Sequence, residues 1–211
     1  MKKIILFILY LIQFGTIVQA QESKKFFEKY PFVNQTEFSV LFGRTRDSYY
    51  YPSIYSNFTI PNSDYYTLRN TINLSLQTFN GVVIKPKTTV GITTGLDAYN
   101  ATLIMPIAAG IRQVVAQKSK SGAKIQIGLD AGWGFNWLNP KNNFEKLYGG
   151  ILINPGFGMK FPTKNGSSWL VNFGYKYQYL KIGQTEVNEY LLSSVETMNL
   201  KRFQIRLGFE W

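Results

Sequence analysis

Apolar and polar residues alternate one by one along most of this chain. The alternation is cleanest across residues 125–137, where every second residue is apolar and the residues between are small or polar. Successive side chains of a β-strand point to opposite faces, so this period of two predicts strands with one apolar and one polar face. After Gln35 no segment of useful length keeps the helical period, and the chain is therefore predicted to be all-β.

Turn residues and polar loops divide the alternating part of the chain into eight predicted strands. They cover residues 37–45, 66–84, 88–99, 101–117, 124–137, 148–161, 169–179 and 202–211. The alternation falters near Asn80 and Gly81, which predicts a bulge in the second strand. The turns after the second, fourth and sixth strands are short and the other connections are mostly longer, so short and long connections alternate.

Two kinds of β-barrel fit a period of two: a soluble barrel with an apolar interior, such as a lipocalin, and a membrane barrel with an apolar exterior. Glycine dominates the polar face, and glycine weakens an exposed strand. The narrow interior of an eight-stranded barrel, however, requires small residues beside the few large polar ones. We therefore expect the polar face to line the interior and the apolar face to contact lipid. The glycines concerned are Gly91, Gly95, Gly110, Gly128, Gly132, Gly134, Gly150, Gly156, Gly158, Gly174 and Gly208.

The apolar face has the residue distribution of a membrane-facing surface. Aliphatic side chains occupy the middle of the strands and aromatic side chains their ends, as in the interfacial girdles of membrane barrels. One predicted girdle contains Trp133, Trp137, Tyr177 and Tyr179, and the other contains Phe161, Trp169 and Trp211. Strands of about 9 to 11 residues span a bilayer when tilted, and most of the predicted strands reach this length. The predicted fold is an all-β, eight-stranded antiparallel transmembrane barrel.

The N-terminus has the pattern of a secretory signal peptide. Lys2 and Lys3 precede an apolar run over residues 4–14, and the small residues Val18 and Ala20 have the spacing of a cleavage site. An N-terminal membrane anchor is the alternative, but the apolar run is shorter than the roughly 20 residues of a spanning helix. We expect a signal peptide at residues 1–20, a periplasmic linker at 21–35 and the barrel at 36–211.

Histidine and cysteine are both absent. Their absence excludes a disulfide framework, a thiolate nucleophile, a histidine-based triad and an ordinary zinc site. No spacing indicates a Ser/Lys or carboxylate pair that could replace them. We therefore expect that the protein is not an enzyme and has no catalytic, cofactor-binding or metal-binding residues.

The formal net charge is +11, and removing Lys2 and Lys3 with the signal peptide lowers it to +9. The charges are scattered and form no block of one sign. In an exported protein, this distribution favours anionic lipid or polysaccharide over nucleic acid as a neighbour.

Charged residues on the polar face form the first candidate site, because they would meet inside the barrel. The predicted interior polar network comprises Arg69, Asp97, Arg112, Asp130, Lys160, Lys176 and Arg206, and Lys124, Arg202 and Glu210 share the same face. We expect ion pairs such as Asp130 with Lys176 or with Arg206. Such a network fits either an anion-selective or gated pore, or a packed polar core that makes the barrel rigid.

A cluster of tyrosines forms the second candidate site, for recognition at the surface. It consists of Tyr49, Tyr50, Tyr51 and Tyr55. Tyrosine provides a large contact area at low entropic cost, which suits binding of a sugar or a protein. Strand ends that project above the membrane would account for the same residues.

The last ten residues, RFQIRLGFEW, alternate and end on an aromatic residue. A membrane barrel has no free edge, so the last strand is expected to pair with the first. The segment also resembles the C-terminal signal of outer-membrane barrels. Phe209 and Trp211 would be the aromatic residues that the barrel-insertion machinery recognises.

Four segments carry a wider resemblance: GVVIKPKTTVGITTGLDAY, LIMPIAAGIRQ, GGILINPGFGMKF and NFGYKYQ. They resemble the small outer-membrane β-barrel domain family of Bacteroidota, which is related in architecture to OmpA- and OmpX-type barrels and includes PorT-like proteins. The resemblance extends over residues 36–211. It implies an up-and-down barrel with both termini in the periplasm and long loops outside, and it implies no catalytic residues.

The sequence thus predicts an integral protein of the outer membrane of a Gram-negative cell, with a structural or surface-interaction role. Small-solute transport and membership of a PorT-like protein-export apparatus are the alternatives. The expected partners are outer-membrane lipid and lipopolysaccharide, the barrel-insertion machinery, and envelope or export proteins, without nucleic acid.

Overall fold

The computed structural model describes residues 26–48, 66–99, 102–117, 119, 122–139, 145–184 and 195–211. Within these ranges the chain forms nine β-strands: β1 (Phe32–Ser48), β2 (Tyr66–Lys85), β3 (Thr88–Tyr99), β4 (Thr102–Gln117), β5 (Lys124–Phe135), β6 (Glu145–Tyr148), β7 (Gly150–Pro162), β8 (Ser168–Gln184) and β9 (Val195–Glu210). One turn of helix, residues 26–29, precedes β1. No helix in the described part of the chain is long and apolar enough to cross a membrane. The predicted signal peptide lies outside the described residues.

The strands form one closed antiparallel sheet. Neighbours pair in the order β1, β2, β3, β4, β5, β7, β8 and β9, and β9 pairs again with β1. β6 and β7 are two parts of one ribbon, because both pair with β8 and only Gly149 separates them. The predicted eight-stranded antiparallel barrel is confirmed.

The seam between β1 and β9 closes the barrel. Residues 35–43 of β1 lie opposite residues 202–210 of β9. Beyond this seam, the backbone N–H groups of Asn34 and Trp211 each donate to the other residue's carbonyl oxygen at 3.1 Å. Residues 32–35, which the sequence assigns to the linker, therefore belong to β1.

The two ends of the barrel differ in their connections. We call one the turn end, because the short connections after β2, β4 and β7 leave from it and both Phe32 and Trp211 lie there. At the opposite end, the loop end, residues 49–65 follow β1 and residues 185–194 follow β8.

The apolar face of the sheet points outward and the polar face points into the barrel. Ile127, Ile153 and Leu207 are 46%, 43% and 59% exposed, whereas their chain neighbours Gln126 and Asn154 are buried. This polarity is the inverse of a lipocalin's, so the interpretation as a soluble barrel with an apolar interior is wrong.

Glycine on the inner face makes room for long charged side chains. A Cβ atom built on Gly128 would lie 2.9 Å from the Arg112 side chain, and one built on Gly156 would meet the Arg206 guanidinium. Both contacts are closer than the roughly 3.5 to 4.0 Å at which non-bonded heavy atoms attract. The glycines are therefore required by the space that the neighbouring arginines occupy.

The predicted bulge near Asn80 and Gly81 is wrong. Both residues pair regularly with β3, and the register of β2 shifts only at the turn end, between Val83 and Lys85. The alternation falters in the sequence because Phe79 is an aromatic residue on the polar face. Its ring is buried in the lumen, where the Arg112 guanidinium lies 4.5 Å from the ring centroid.

Outward aromatic residues occupy both ends of the barrel. At the turn end, Phe161, Trp169 and Phe209 lie side by side on three adjacent strands. Trp211 continues this row, with its ring centroid 6.0 Å from that of Phe209. The outward aromatic residues towards the loop end include Trp133, Tyr175, Tyr177 and Tyr179.

We expect Gly158→Ala to lower the free energy of unfolding by about 1 to 3 kcal/mol, the usual cost of forcing extra atoms into packed space. The new Cβ would meet Asn172 and the backbone of Val171 on β8. Ala131→Val is the matched control, because it enlarges an exposed, outward side chain and should change stability by less than about 0.5 kcal/mol. Urea unfolding of both variants in detergent micelles measures the difference. Equal losses would contradict tight packing of the inner face.

Candidate functional site

Ion pairs join strands of the barrel through side chains that point into the lumen. Among the described residues there are four, which we call the lumen ion pairs: Lys160–Glu210, Arg206–Glu37, Arg112–Asp130 and Lys176–Asp97. The first lies nearest the turn end and the last lies nearest the loop end. All eight side chains project inward from their strands because they share the polar phase of the alternation.

Asp97 and Lys176 form the most buried of these pairs, and neither side chain is exposed. The Lys176 ammonium donates to Asp97 Oδ2. Asp97 Oδ1 accepts hydrogen bonds from Ser75 Oγ at 2.6 Å and Gln77 Nε2 at 3.0 Å. One carboxylate thus connects β2 and β3 to β8, which passes on another side of the barrel.

Asp130 is the acceptor at the centre of a second group. Arg112 approaches both carboxylate oxygens of Asp130, with Nη1 2.8 Å from Oδ1 and Nη2 3.1 Å from Oδ2. Thr93 Oγ1 donates to Oδ1 at 2.7 Å, and Asn154 Nδ2 donates to Oδ2 at 3.3 Å. Such a two-pronged arginine–carboxylate contact is both stronger and more directional than a neutral hydrogen bond.

Glu37 is a lumen carboxylate that the predicted network does not include. It accepts from Arg206 Nη1 at 3.3 Å and from Asn172 Nδ2. The sequence does contain a signal for this position. Phe38 and Val40 belong to the apolar face of the first strand, so the alternation places Glu37 on the polar face.

The structure places six of the seven predicted network residues in the lumen, and Arg69 is the exception. Arg69 is exposed and lies opposite Thr45. The β1–β2 ribbon extends past its last pairings with β9 at Gly43 and with β3 at Leu74. Arg69 is on the inward-facing side of β2, but it lies beyond the closed part of the barrel and therefore does not reach the lumen.

The predicted partners of Asp130 are wrong. Asp130 pairs with Arg112, whereas Lys176 pairs with Asp97 and Arg206 pairs with Glu37. The choice depends on how far each strand is shifted along the barrel axis relative to the next. The period of two contains no information about that shift.

Arg202 is buried in the lumen without a carboxylate partner among the residues that the structure describes. Its guanidinium donates to Asn73 Oδ1 at 3.2 Å, to the Arg44 carbonyl at 3.0 Å and to Thr45 Oγ1 at 3.1 Å. Neutral oxygens therefore satisfy this cation in place of an acid.

An apolar cluster, the loop-end plug, fills the lumen next to Arg202. It consists of Leu41, Tyr99, Ile104, Leu180 and Leu200, with Met198 packed against it. Residues from β1, β3, β4, β8 and β9 meet there. The plug packs apolar side chains of five strands together, and close packing of this kind leaves few voids large enough for a water molecule.

The lumen opens at the turn end into a cavity of about 210 Å³, which we call the turn-end cavity. Four cationic side chains line it, Lys87, Lys124, Lys160 and Arg112, together with the carboxylate of Glu210. Gln35 Nε2 donates to Glu210 Oε2 at 2.7 Å and Lys160 donates to Oε1. The cavity is therefore rich in positive charge.

The remaining predicted sites lie elsewhere. Tyr49, Tyr50, Tyr51 and Tyr55 fall outside the described residues. Phe209 points outward, with its ring centroid 5.3 Å from that of Trp169 in an edge-to-face arrangement, and Trp211 is exposed beside it.

No protein-family model matches this chain, and no curated protein matches its sequence. Solved structures of similar fold include the outer membrane protein AlkL, determined by solid-state NMR in DMPC lipid bilayers, with a TM-score of 0.52 and 11% identity over 85% of this chain and 88% of AlkL. The outer membrane protein OprG from Pseudomonas aeruginosa has a TM-score of 0.53 and 11% identity over 85% of this chain and 93% of OprG. Neisserial surface protein A has a TM-score of 0.50 and 12% identity over 85% of this chain and 95% of its own. At these identities the likeness concerns the fold.

Asp97→Asn should lower the free energy of unfolding by about 3 to 5 kcal/mol, because it leaves the Lys176 charge buried and unpaired. Glu210→Gln is the matched control at the other end of the lumen, where the side chains of Lys160 and Glu210 are 16% and 10% exposed. Water can solvate the ammonium group left there, so a smaller loss is expected. Chemical unfolding of both variants measures the two losses. A larger loss for Glu210→Gln would contradict the conclusion that burial makes the Asp97–Lys176 pair the more costly one to break.

Proposed function

We propose that this protein is an integral outer-membrane β-barrel with a structural or surface-interaction role, its long loops exposed outside the cell. The observation that carries the proposal is the combination of an apolar exterior with a lumen filled by its own side chains. The exterior accounts for the location and the filled lumen accounts for the role.

The exterior favours a lipid environment. Large apolar side chains are exposed on all eight strands of the barrel, among them Phe38, Leu76, Ile92, Ile111, Leu129, Phe157, Trp169 and Leu207. A soluble monomer rarely exposes contiguous apolar patches larger than a few hundred Å². A closed barrel also satisfies its backbone hydrogen bonds internally, as lipid requires. AlkL and OprG, two outer membrane proteins of similar fold, support the outer membrane in particular.

The filled lumen favours a structural role over small-solute transport. The Lys176–Asp97 pair joins β8 to β3 on the opposite side of the barrel, and the loop-end plug brings residues of five strands into contact. A solute would have to break buried ion pairs to pass, and breaking one such pair costs about 3 to 5 kcal/mol. The packed polar core, rather than the pore, is thus the interpretation of the interior network that we adopt.

The orientation follows from the proposed location. The turn end, with Phe32 and Trp211, faces the periplasm, and the loop end faces outward. The long connections are then the parts of the protein that contact partners, and Tyr49, Tyr50, Tyr51 and Tyr55 lie in the first of them in the sequence.

Lipopolysaccharide and envelope proteins are the partners proposed for these connections, and the barrel-insertion machinery is the partner proposed for Phe209 and Trp211. Membership of the Bacteroidota barrel family and a PorT-like role in protein export are further hypotheses. A membrane partner that co-purifies with the protein would favour the export role.

Insertion into lipid can be tested with one outward position. Leu129 lies in the middle of β5 and is exposed, and an arginine at the bilayer midplane of a barrel costs about 2 to 4 kcal/mol. We expect Leu129→Arg to lower the free energy of unfolding in lipid vesicles by this amount and Leu129→Ala to lower it far less. Urea titrations in vesicles measure both. Equal stability of the two variants would contradict the membrane-facing exterior.

The filled lumen can be tested separately by measuring ion conductance. The full chain, inserted into planar bilayers and shown to be folded by its faster migration in unheated gel samples, should produce no conductance steps beyond those of a protein-free bilayer. A general porin serves as the positive control. Reproducible steps would overturn the structural role and favour transport.

A further inference from the structure

The turn-end cavity brings like charges together on one face of the sheet. Lys124 of β5 lies directly opposite Lys160 of β7 in the register, and both side chains line the cavity. Like charges directly opposite one another destabilise a sheet. A third lysine, Lys87, lines the rim of the same cavity, and Arg112 lines its inner wall.

The acids nearby compensate only part of this charge. Asp130 holds Arg112 and Glu210 holds Lys160. Lys124 and Lys87 have no acidic partner among the residues described, and Glu210 is the sole carboxylate that lines the cavity in that part of the chain. Two positive charges are therefore left facing the cavity.

We propose that the turn-end cavity binds a small oxyanion of the phosphate class, either inorganic phosphate or a phosphoryl group at the end of a larger molecule. Lysine ammonium groups bind phosphate as compact point charges. Lys124 and Lys87 supply the uncompensated charge, Lys160 adds a third ammonium group, and Thr89 is a polar residue of the same lining.

The size of the cavity restricts the ligand. Its volume of about 210 Å³ lies below the roughly 300 to 1,000 Å³ of pockets for drug-sized ligands. It nevertheless exceeds several times the roughly 30 Å³ that one water molecule occupies in the liquid. A phosphate group with a few waters fits these limits.

The charge distribution around the cavity also favours an anion. Lys85 precedes the β2–β3 turn and is exposed at the turn end, next to the lining residue Pro86. A positive charge beside the opening raises the local concentration of anions there.

The experiment uses the full chain folded in dodecyl maltoside micelles, a detergent without phosphate, and titrates inorganic phosphate by calorimetry at constant ionic strength. We expect saturable binding that Lys124→Gln weakens at least about tenfold, since one charge-assisted hydrogen bond is lost. Lys164→Gln is the matched control, because it removes an exposed lysine from the same end outside the cavity, and its affinity should stay unchanged. Heat-shifted migration of each variant confirms that it is folded.

A second variant is expected to change the affinity for phosphate in the opposite direction. Glu210→Gln removes the carboxylate that competes for Lys160 and should tighten phosphate binding, whereas damage to the barrel would weaken it. Vesicles containing phosphatidic acid, compared with phosphatidylcholine vesicles, distinguish a lipid phosphoryl group from a free ion, and either source supports the proposal if binding depends on Lys124. Absence of saturable binding to both probes, or equal losses in Lys124→Gln and Lys164→Gln, would overturn it.

Discussion

The limited space inside an eight-stranded barrel is the constraint on which this structure depends. A ring of this size has room for little more than its own side chains, so every large inward residue needs a small one beside it. Gly128 next to Arg112 and Gly156 next to Arg206 show how the sequence meets this requirement. The outward face is free of the constraint and consists of bulky aliphatic and aromatic residues.

The same lack of space explains why the interior charges are paired. A cation confined among packed side chains has little water to solvate it, and its burial is costly without a partner. Asp97, Asp130 and Glu37 supply partners to Lys176, Arg112 and Arg206, and each carboxylate also accepts hydrogen bonds from neutral side chains. The Lys176–Asp97 pair also joins β8 to β3 on the opposite side of the barrel, so it holds the barrel in shape in addition to compensating charge.

The two ends of the lumen are unequal, and this asymmetry connects the fold to the proposed activities. Next to Arg202, towards the loop end, apolar side chains replace charged ones and exclude water. At the turn end the packing opens, water can enter, and cations outnumber acids. An apolar plug towards the loop end is consistent with a barrel that presents its loops to the outside, while an open, positively charged turn end is consistent with binding a small anion from the opposite side.

The sequence by itself determined the class of fold, the polarity of its two faces and most of the residues in the lumen. The period of two indicates on which side of the strand each residue lies, and glycine on the polar side indicates that space is limited there. Only the tertiary structure decided that Asp130 meets Arg112, that Arg69 lies beyond the closed part of the barrel and that Phe79 lies within it. Each of these outcomes depends on the stagger between neighbouring strands and on where the barrel ends. Stagger is set by packing between strands that are distant in the chain, so the alternation within one strand carries no record of it.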